Sequence, residues 1–98
     1  MQKISKFDII KTEVVRDLIT AKYAYGIEGE EDEYDGLVHA AVAAENFDAL
    51  LGVLDTTVDL RVGQLLGLTE SRLVSRKVAK RAEARVRRWA KRFRELSR

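Results

Sequence analysis

Apolar residues recur at steps of three and four along most of the chain, the spacing that places them on one face of an α-helix. The first such stripe follows Ser5, a residue suited to cap a helix, and predicts a helix over residues 6–25 that ends at Gly26. A second stripe, rich in alanine, predicts a helix over residues 35–54. The alternation of apolar and polar residues that is typical of strands is absent outside these segments.

The second half of the chain continues the helical pattern. Thr56 resembles an N-cap, and the apolar residues after it predict a short helix over residues 57–66. Gly67 suits the left-handed residue that ends a helix, and Thr69 suits the cap of a last helix over residues 70–97. The sequence therefore predicts an all-α fold, a single small four-helix domain with a long basic C-terminal helix.

An acidic segment separates the first two predicted helices. Residues 26–36 hold three glycines and six carboxylates, whose mutual repulsion and backbone freedom predict a loop. A calcium-binding loop needs a central glycine and a distal glutamate at fixed offsets, and neither offset fits here. We therefore expect a solvated acidic loop, and no metal or cofactor.

Composition narrows the class of protein. With 98 residues, the chain has the length of one domain, and without cysteine it lacks disulfides and thiolate ligands. No apolar run approaches the roughly 18 residues that cross a bilayer, and the first residues lack the features of a secretory signal. These observations favour a cytoplasmic protein that does not bind membranes.

The net charge of +2 conceals two opposed halves. Residues 1–71 carry a net charge of −8, whereas residues 72–98 carry +10, and nine of the twelve cations in the second segment are arginine. Arginine forks onto phosphate oxygens and stacks on bases, which favours nucleic acid as the partner. An acidic protein partner and a solvated structural face are the alternatives.

The basic segment also carries an apolar seam at helical spacing. Its strongest members are Val86, Trp89, Phe93 and Leu96. Such a seam packs against another helix, either in the same chain or in a second copy, so a homodimer is possible.

Residues 58–76, VDLRVGQLLGLTESRLVSR, resemble the helix-turn-helix of bacterial and phage DNA-binding regulators, including the last region of sigma factors. Small Gly63 would let two helices cross closely, Gly67 would form the turn, and Thr69 would cap the second helix. The resemblance covers about a fifth of the chain. It departs from the family at Arg76, where an apolar residue is usual, and at Glu70, whose carboxylate would repel phosphate.

The resemblance implies that the second helix lies in the major groove of duplex DNA, with RNA as the less favoured partner. Arg72 and Arg76 would contact guanine or clamp phosphate. The role would be that of a regulator, or of a packaging or partition factor of a phage or plasmid. Together with the arginines that follow, the expected nucleic-acid-binding residues are Ser71, Arg72, Ser75, Arg76, Lys80, Arg81, Arg87 and Arg88.

Nothing in the sequence favours an enzyme. There is no glycine-rich phosphate loop, and no nucleophile accompanies His39, the single histidine, which we expect at the surface or the core edge. The main alternative to nucleic-acid binding is a helical adaptor or assembly subunit whose basic tail docks an acidic protein or an RNA-containing partner.

Overall fold

The computed structural model describes residues 4–26 and 30–98, and within these ranges it contains four α-helices and no strand, which confirms the all-α prediction. The helices are α1 (Lys6–Tyr25), α2 (Glu31–Ala43), α3 (Phe47–Glu70) and α4 (Arg76–Leu96). The sequence predicted one domain; the chain divides into two compact units, with the boundary between Val53 and Leu54 inside α3.

Helix α1 has the predicted bounds, and its N-terminus shows why the sequence was sufficient. The Ser5 hydroxyl oxygen accepts a hydrogen bond from the Asp8 backbone N–H at 3.1 Å, as an N-cap does. The Asp8 carboxylate also lies in the first turn, close to the positive end of the helix dipole. The apolar stripe of the helix is buried at Ile10, Val14 and Leu18.

Helix α2 begins at Glu31, so the predicted acidic loop is wrong over residues 31–36; residues 27–29 lie outside the described residues. Three acidic residues occupy the first turn, where the helix dipole stabilises negative charge: Glu31, Asp32 and Glu33. Tyr34 follows them and is 1% exposed. The burial of this large ring, with the favourable dipole, outweighs the repulsion among the carboxylates.

Polar contacts hold α1 and α2 together near both ends of α2. The Lys22 ammonium lies 2.8 Å from the Asp35 carboxylate, and this hydrogen bond raises the pKa of Lys22 above its ordinary 10.5. Just past the other end of α2, the Lys11 ammonium donates a hydrogen bond to the Ala44 carbonyl at 2.8 Å. Lys11 therefore satisfies a carbonyl that the helix end leaves without an intrahelical partner.

The predicted continuous helix over residues 35–54 is also wrong, because the chain breaks between α2 and α3. Ala44 has an extended backbone, with ψ at 128°. The Asn46 side-chain oxygen accepts a hydrogen bond from the Ala49 backbone N–H at 2.9 Å and so caps α3. Because apolar residues continue at helical spacing across this segment, the sequence pattern gave no sign that Asn46 caps a new helix.

Helix α3 continues through both breaks that the sequence predicted in it. Thr57 and Val58, which follow the predicted break at residues 55–56, are buried within the helix. Gly67 lies inside α3, and the Thr69 hydroxyl donates to the Leu65 carbonyl at 2.9 Å instead of capping a new helix. A Cβ atom at Gly63 would meet no atom of the described residues within 4 Å, so the expected close helix crossing at this glycine is wrong as well.

The turn between α3 and α4 lies further along the chain and is closed by an arginine. Arg72 has φ at 59°, the left-handed conformation that glycine usually supplies. The Leu73 N–H donates to the Leu68 carbonyl at 3.0 Å, and the Arg72 N–H donates to the Thr69 carbonyl at 3.1 Å. This pair of bonds is the Schellman arrangement, with Arg72 in the glycine position.

Helices α3 and α4 fold back on each other. The Arg94 guanidinium, near the end of α4, contacts the Asp55 carboxylate in the first half of α3. Residues so far from the turn on either side can meet only if the two helices run antiparallel. The pair is therefore a helical hairpin, whereas the two helices of a helix-turn-helix cross at about 90–120°.

Replacing either of two exposed glycines inside α3 with alanine should stabilise the protein. Gly63→Ala and Gly67→Ala should each raise the free energy of unfolding by about 0.5–1 kcal/mol, because alanine loses less backbone entropy and meets no described atom within 4 Å. Thermal unfolding followed by circular dichroism measures the change. Gly26→Ala is the control: its Cβ would lie 2.6 Å from the Lys22 carbonyl oxygen, so it should destabilise. A lower midpoint for Gly63→Ala would contradict the open surface assigned to it.

Candidate nucleic-acid interface

Helix α4 separates its charged and apolar residues onto opposite halves. Ten of its 21 residues are Lys or Arg and two are Glu. At about 100° per residue, the ten cations fall within about half of the helix circumference, and the apolar residues other than Ala84 lie on the other half. We call these ten residues the cationic face: Arg76, Lys77, Lys80, Arg81, Arg85, Arg87, Arg88, Lys91, Arg92 and Arg94.

Burial of the apolar half fixes which way this face points. Phe93 is 1% exposed and Ala90 is 7% exposed, while Val86 and Trp89 are half-buried. The Trp89 ring meets the Phe93 ring edge-on, with centroids 5.6 Å apart. With these residues buried, nine of the ten cations are exposed to solvent and Arg94 is half-buried.

Some of the cations already have acidic partners. Arg87 donates two hydrogen bonds to one Glu83 oxygen, at 2.9 and 3.1 Å. Arg94 pairs with Asp55, and the Lys91 ammonium lies 3.9 Å from the Glu95 carboxylate. Arg92 lies over the Phe93 ring, 5.4 Å from its centroid. These contacts direct four cations toward the protein itself.

The other six cations make no ion pair with any residue that the structure describes. We call them the unpaired set: Arg76, Lys77, Lys80, Arg81, Arg85 and Arg88. At about 1.5 Å per residue they extend over about 18 Å of α4. The set thus presents a continuous line of positive charge to solvent.

The first turn of α4 has a stabilising cap but carries charges that destabilise the helix. The Ser75 hydroxyl accepts a hydrogen bond from the Val78 N–H at 3.2 Å and caps the helix. The first turn contains Arg76 and Lys77 but no acidic residue, in contrast to α1 and α2. Cations at the positive end of a helix dipole each cost about 0.3–1 kcal/mol, and a bound anion would remove that cost.

Repulsion along the helix adds to this cost. Arg81 lies four residues from both Lys77 and Arg85, and Arg76 lies four residues from Lys80. Each like-charge pair at this spacing destabilises a helix by about 0.2–0.5 kcal/mol. Local features that oppose stability concentrate at functional sites, so α4 is the part of the molecule with the strongest indication of function.

The structure places five of the eight expected binding residues on α4, four of them in the unpaired set, and the other three before the helix. Arg76, Lys80, Arg81 and Arg88 belong to the unpaired set. Arg87 lies at the edge of the cationic face and is held by Glu83. Ser71 and Arg72 lie in the turn, and the Ser75 hydroxyl is used as the cap of α4, because α4 begins later than predicted.

Two residues of the unpaired set, Lys77 and Arg85, were missed as site residues. Both were visible in the sequence as part of the basic segment. Their angular position on a helix, at about 100° per residue, would have placed them beside Lys80 and Arg81. The resemblance to a helix-turn-helix instead favoured residues close to the predicted turn, such as Ser71 and Arg72.

The apolar seam, predicted to pack within the chain or against a second copy, is partly buried in the chain. Phe93, its central residue, is buried within the chain, while Val86 and Trp89 are half-buried and Leu96 is 41% exposed. A second copy would have to open the chain to reach Phe93. Of the two predicted uses of the seam, Phe93 therefore serves packing within the chain.

Other kinds of site find little support in the described part of the chain. No three His, Asp or Glu side chains there lie together as metal ligands would, and His39 is exposed on α2, as predicted. Within residues 4–26 and 30–98, no helix combines the length and apolarity needed to cross a membrane. Comparison of the chain with family models, curated proteins and solved structures found no match.

The repulsion on α4 predicts an unusual response to salt. Raising NaCl from about 20 to about 300 mM should raise the thermal midpoint, because screening relieves the like-charge pairs. Relief of about 1 kcal/mol corresponds to about 4–8 °C for a domain of this size. The double variant Lys77→Gln, Arg81→Gln should respond less. A midpoint that falls with salt would mean that attractive ion pairs outweigh the repulsion.

The backbone at Arg72 predicts a second stability effect. Arg72→Gly should raise the free energy of unfolding by about 1 kcal/mol, because glycine adopts the left-handed conformation without a Cβ clash. Arg72→Ala is the matched control, since it removes the same charge and keeps the Cβ atom. Chemical denaturation measures both. An equal gain from the two variants would attribute the effect to charge and not to the backbone.

Proposed function

We propose that this chain is a nucleic-acid-binding protein whose cationic face on α4 contacts phosphate groups. The observation that carries the proposal is the unpaired set: six exposed cations on one helix face, without ion pairs to the described residues, in an arrangement that opposes helix stability. A line of phosphates would supply the negative charge that the protein does not place there.

The composition of the face suits this partner. Four of the six residues of the unpaired set are arginine, whose planar guanidinium donates two parallel hydrogen bonds to phosphate oxygens. Binding would release counterions from the nucleic acid, so affinity should fall steeply with salt. The spacing of the set along α4 matches a linear polyanion better than a single small anion.

From the resemblance to helix-turn-helix regulators we further propose duplex DNA as the preferred partner, with RNA as the second choice. A regulatory, packaging or partition role in the cytoplasm, in a phage or plasmid protein, would follow from it. Because the turn and the hairpin differ from that motif, the proposed contact rests on α4 and not on the turn at residues 66–69.

The second candidate is an adaptor that docks an acidic protein through the same face. Carboxylates would also relieve the repulsion on α4, so charge alone favours both candidates. They differ in what competes for binding. If α4 recognises phosphate, a carboxylate polymer such as polyglutamate should compete poorly with DNA; if α4 docks an acidic protein, polyglutamate should compete well.

A pair of neighbouring arginines tests the proposal. Arg88→Gln should weaken binding to a mixed-sequence DNA duplex by about 3-fold to 10-fold and lower the salt slope by about one, because one phosphate contact is lost. Arg87→Gln removes the same formal charge from a residue already paired with Glu83, so its effect should be smaller. Fluorescence anisotropy of a labelled duplex measures both affinities.

Equal losses from the two variants would show that the ion pair with Glu83 does not withhold Arg87 from DNA, and would contradict the assignment of the contact to the unpaired set. No binding of the wild-type chain to duplex or single strand at low salt would contradict the proposal and favour the acidic-partner alternative. Displacement of the labelled DNA by polyglutamate, at the same concentration of charge as unlabelled DNA requires, would also favour the acidic-partner alternative.

A further inference from the structure

We infer that α4 lies in the major groove of B-form DNA and contacts phosphates there without discriminating between base sequences. The inference rests on the proposed function and specifies its substrate class. It follows from which side chains the exposed half of α4 contains, how they are distributed around the helix, and how wide the helix is.

Few of the exposed residues of α4 are of the types that read bases, apart from its arginines. Besides the cations, they are Val78, Ala84, Glu95 and Leu96. Adenine is recognised in the major groove by Asn or Gln, and hydroxyl side chains serve several bases, but α4 exposes neither kind. Arginine can contact guanine and glutamate can accept from cytosine, yet Glu95 lies 3.9 Å from the Lys91 ammonium, and the long flexible cations outnumber every other exposed type. Such a surface contacts phosphates and leaves the base sequence unread.

The same list argues against single strands as the preferred substrate. Proteins that bind single-stranded nucleic acid stack its bases on exposed aromatic rings. Neither aromatic residue of α4 is exposed: Trp89 is half-buried and Phe93 is buried. Without a stacking platform, α4 gains little from unpaired bases, and a duplex offers it a higher density of phosphate charge.

The distribution of residue types around α4 fits a groove with two phosphate walls. One edge of the cationic face is a row of arginines at steps of four, three and four: Arg81, Arg85, Arg88 and Arg92. Arg76 lies at the opposite edge, beside Arg87, which Glu83 holds. The middle holds lysines, the small Ala84 and, near the C-terminal end, Glu95. Arginines at both edges would reach the phosphates on both sides, while Ala84 would allow close approach to the groove floor.

The dimensions select DNA over RNA. An α-helix with its side chains is about 10–12 Å across, and the major groove of B-form DNA is about 12 Å wide. The corresponding groove of an A-form RNA duplex is deep and narrow, so side chains do not reach into it. A helix that binds lengthwise therefore fits the DNA duplex and is excluded from the RNA duplex.

Four probes of equal length test the inference with the full chain. Helix α4 is about 30 Å long, so duplexes of about 20 base pairs give it room to bind lengthwise. The probes are an AT-rich DNA duplex, a GC-rich DNA duplex, a single DNA strand and an RNA duplex. We expect affinities for the two DNA duplexes to agree within about 3-fold and the other two probes to bind at least about 10-fold more weakly.

A substitution at the middle of the face locates the contact. Ala84→Glu places a carboxylate among the cations, where it can pair with Lys80 and Arg88 at helical spacing and leave α4 folded. It should weaken binding to both DNA duplexes by about 10-fold. Ala49→Glu is the matched control, because Ala49 is an exposed alanine in the first turn of α3, where an acid is tolerated. It should change affinity by less than about 2-fold.

The possible results distinguish failure of the major-groove inference from failure of the proposed nucleic-acid binding. A preference of more than about 10-fold for either DNA duplex would overturn sequence independence, and equal binding of RNA duplex or single strand would overturn the groove assignment. In both cases the proposed binding of nucleic acid through α4 would stand, although the second result would remove the preference for duplex DNA. Absence of binding to all four probes, or equal effects of Ala84→Glu and Ala49→Glu, would overturn both.

Discussion

The burial of the apolar half of α4 is the constraint on which the candidate site depends. Once Phe93 and Ala90 are inside, the rotation of the helix about its axis is fixed, and the geometry of the helix distributes every cation over the outer half. No contact among the cations themselves could achieve this, because they repel one another. Hydrophobic burial thus aligns charges that electrostatics alone would disperse.

Local hydrogen bonds determine where each element ends, and three of the four helices begin at a similar device. Ser5, Asn46 and Ser75 each accept a backbone N–H three residues ahead. Helix α2 has no side-chain cap and relies on carboxylates in its first turn, with Lys11 at its other end. The caps separate segments whose apolar patterns would otherwise merge, and they bring each stripe into register with its neighbour.

The sequence was sufficient wherever one local rule acted without competition. Helix α1 has a cap, a clear stripe and a final glycine, and the basic helix has an unmistakable separation of charge from apolar residues. Where two rules competed, the sequence was misleading: the carboxylates before Tyr34 suggested a loop because their repulsion was counted and their favourable position at a helix start was not. Gly67 and Thr69 suggested a turn, yet the helix continues to Glu70, and the Thr69 hydroxyl donates to the Leu65 carbonyl within it. The site shared this error, since a turn five residues too early shifts which side chains α4 carries on its exposed half.

Arg72 has a consequence for the evolution of the chain. Every arginine codon becomes a glycine codon by a single nucleotide change, so the residue that best fits this left-handed turn is always one mutation away. A lineage selected for fold stability alone would pass through that step readily, and nothing in the backbone would hold it back. The backbone strain at the entrance to α4 is therefore one nucleotide change away from relief.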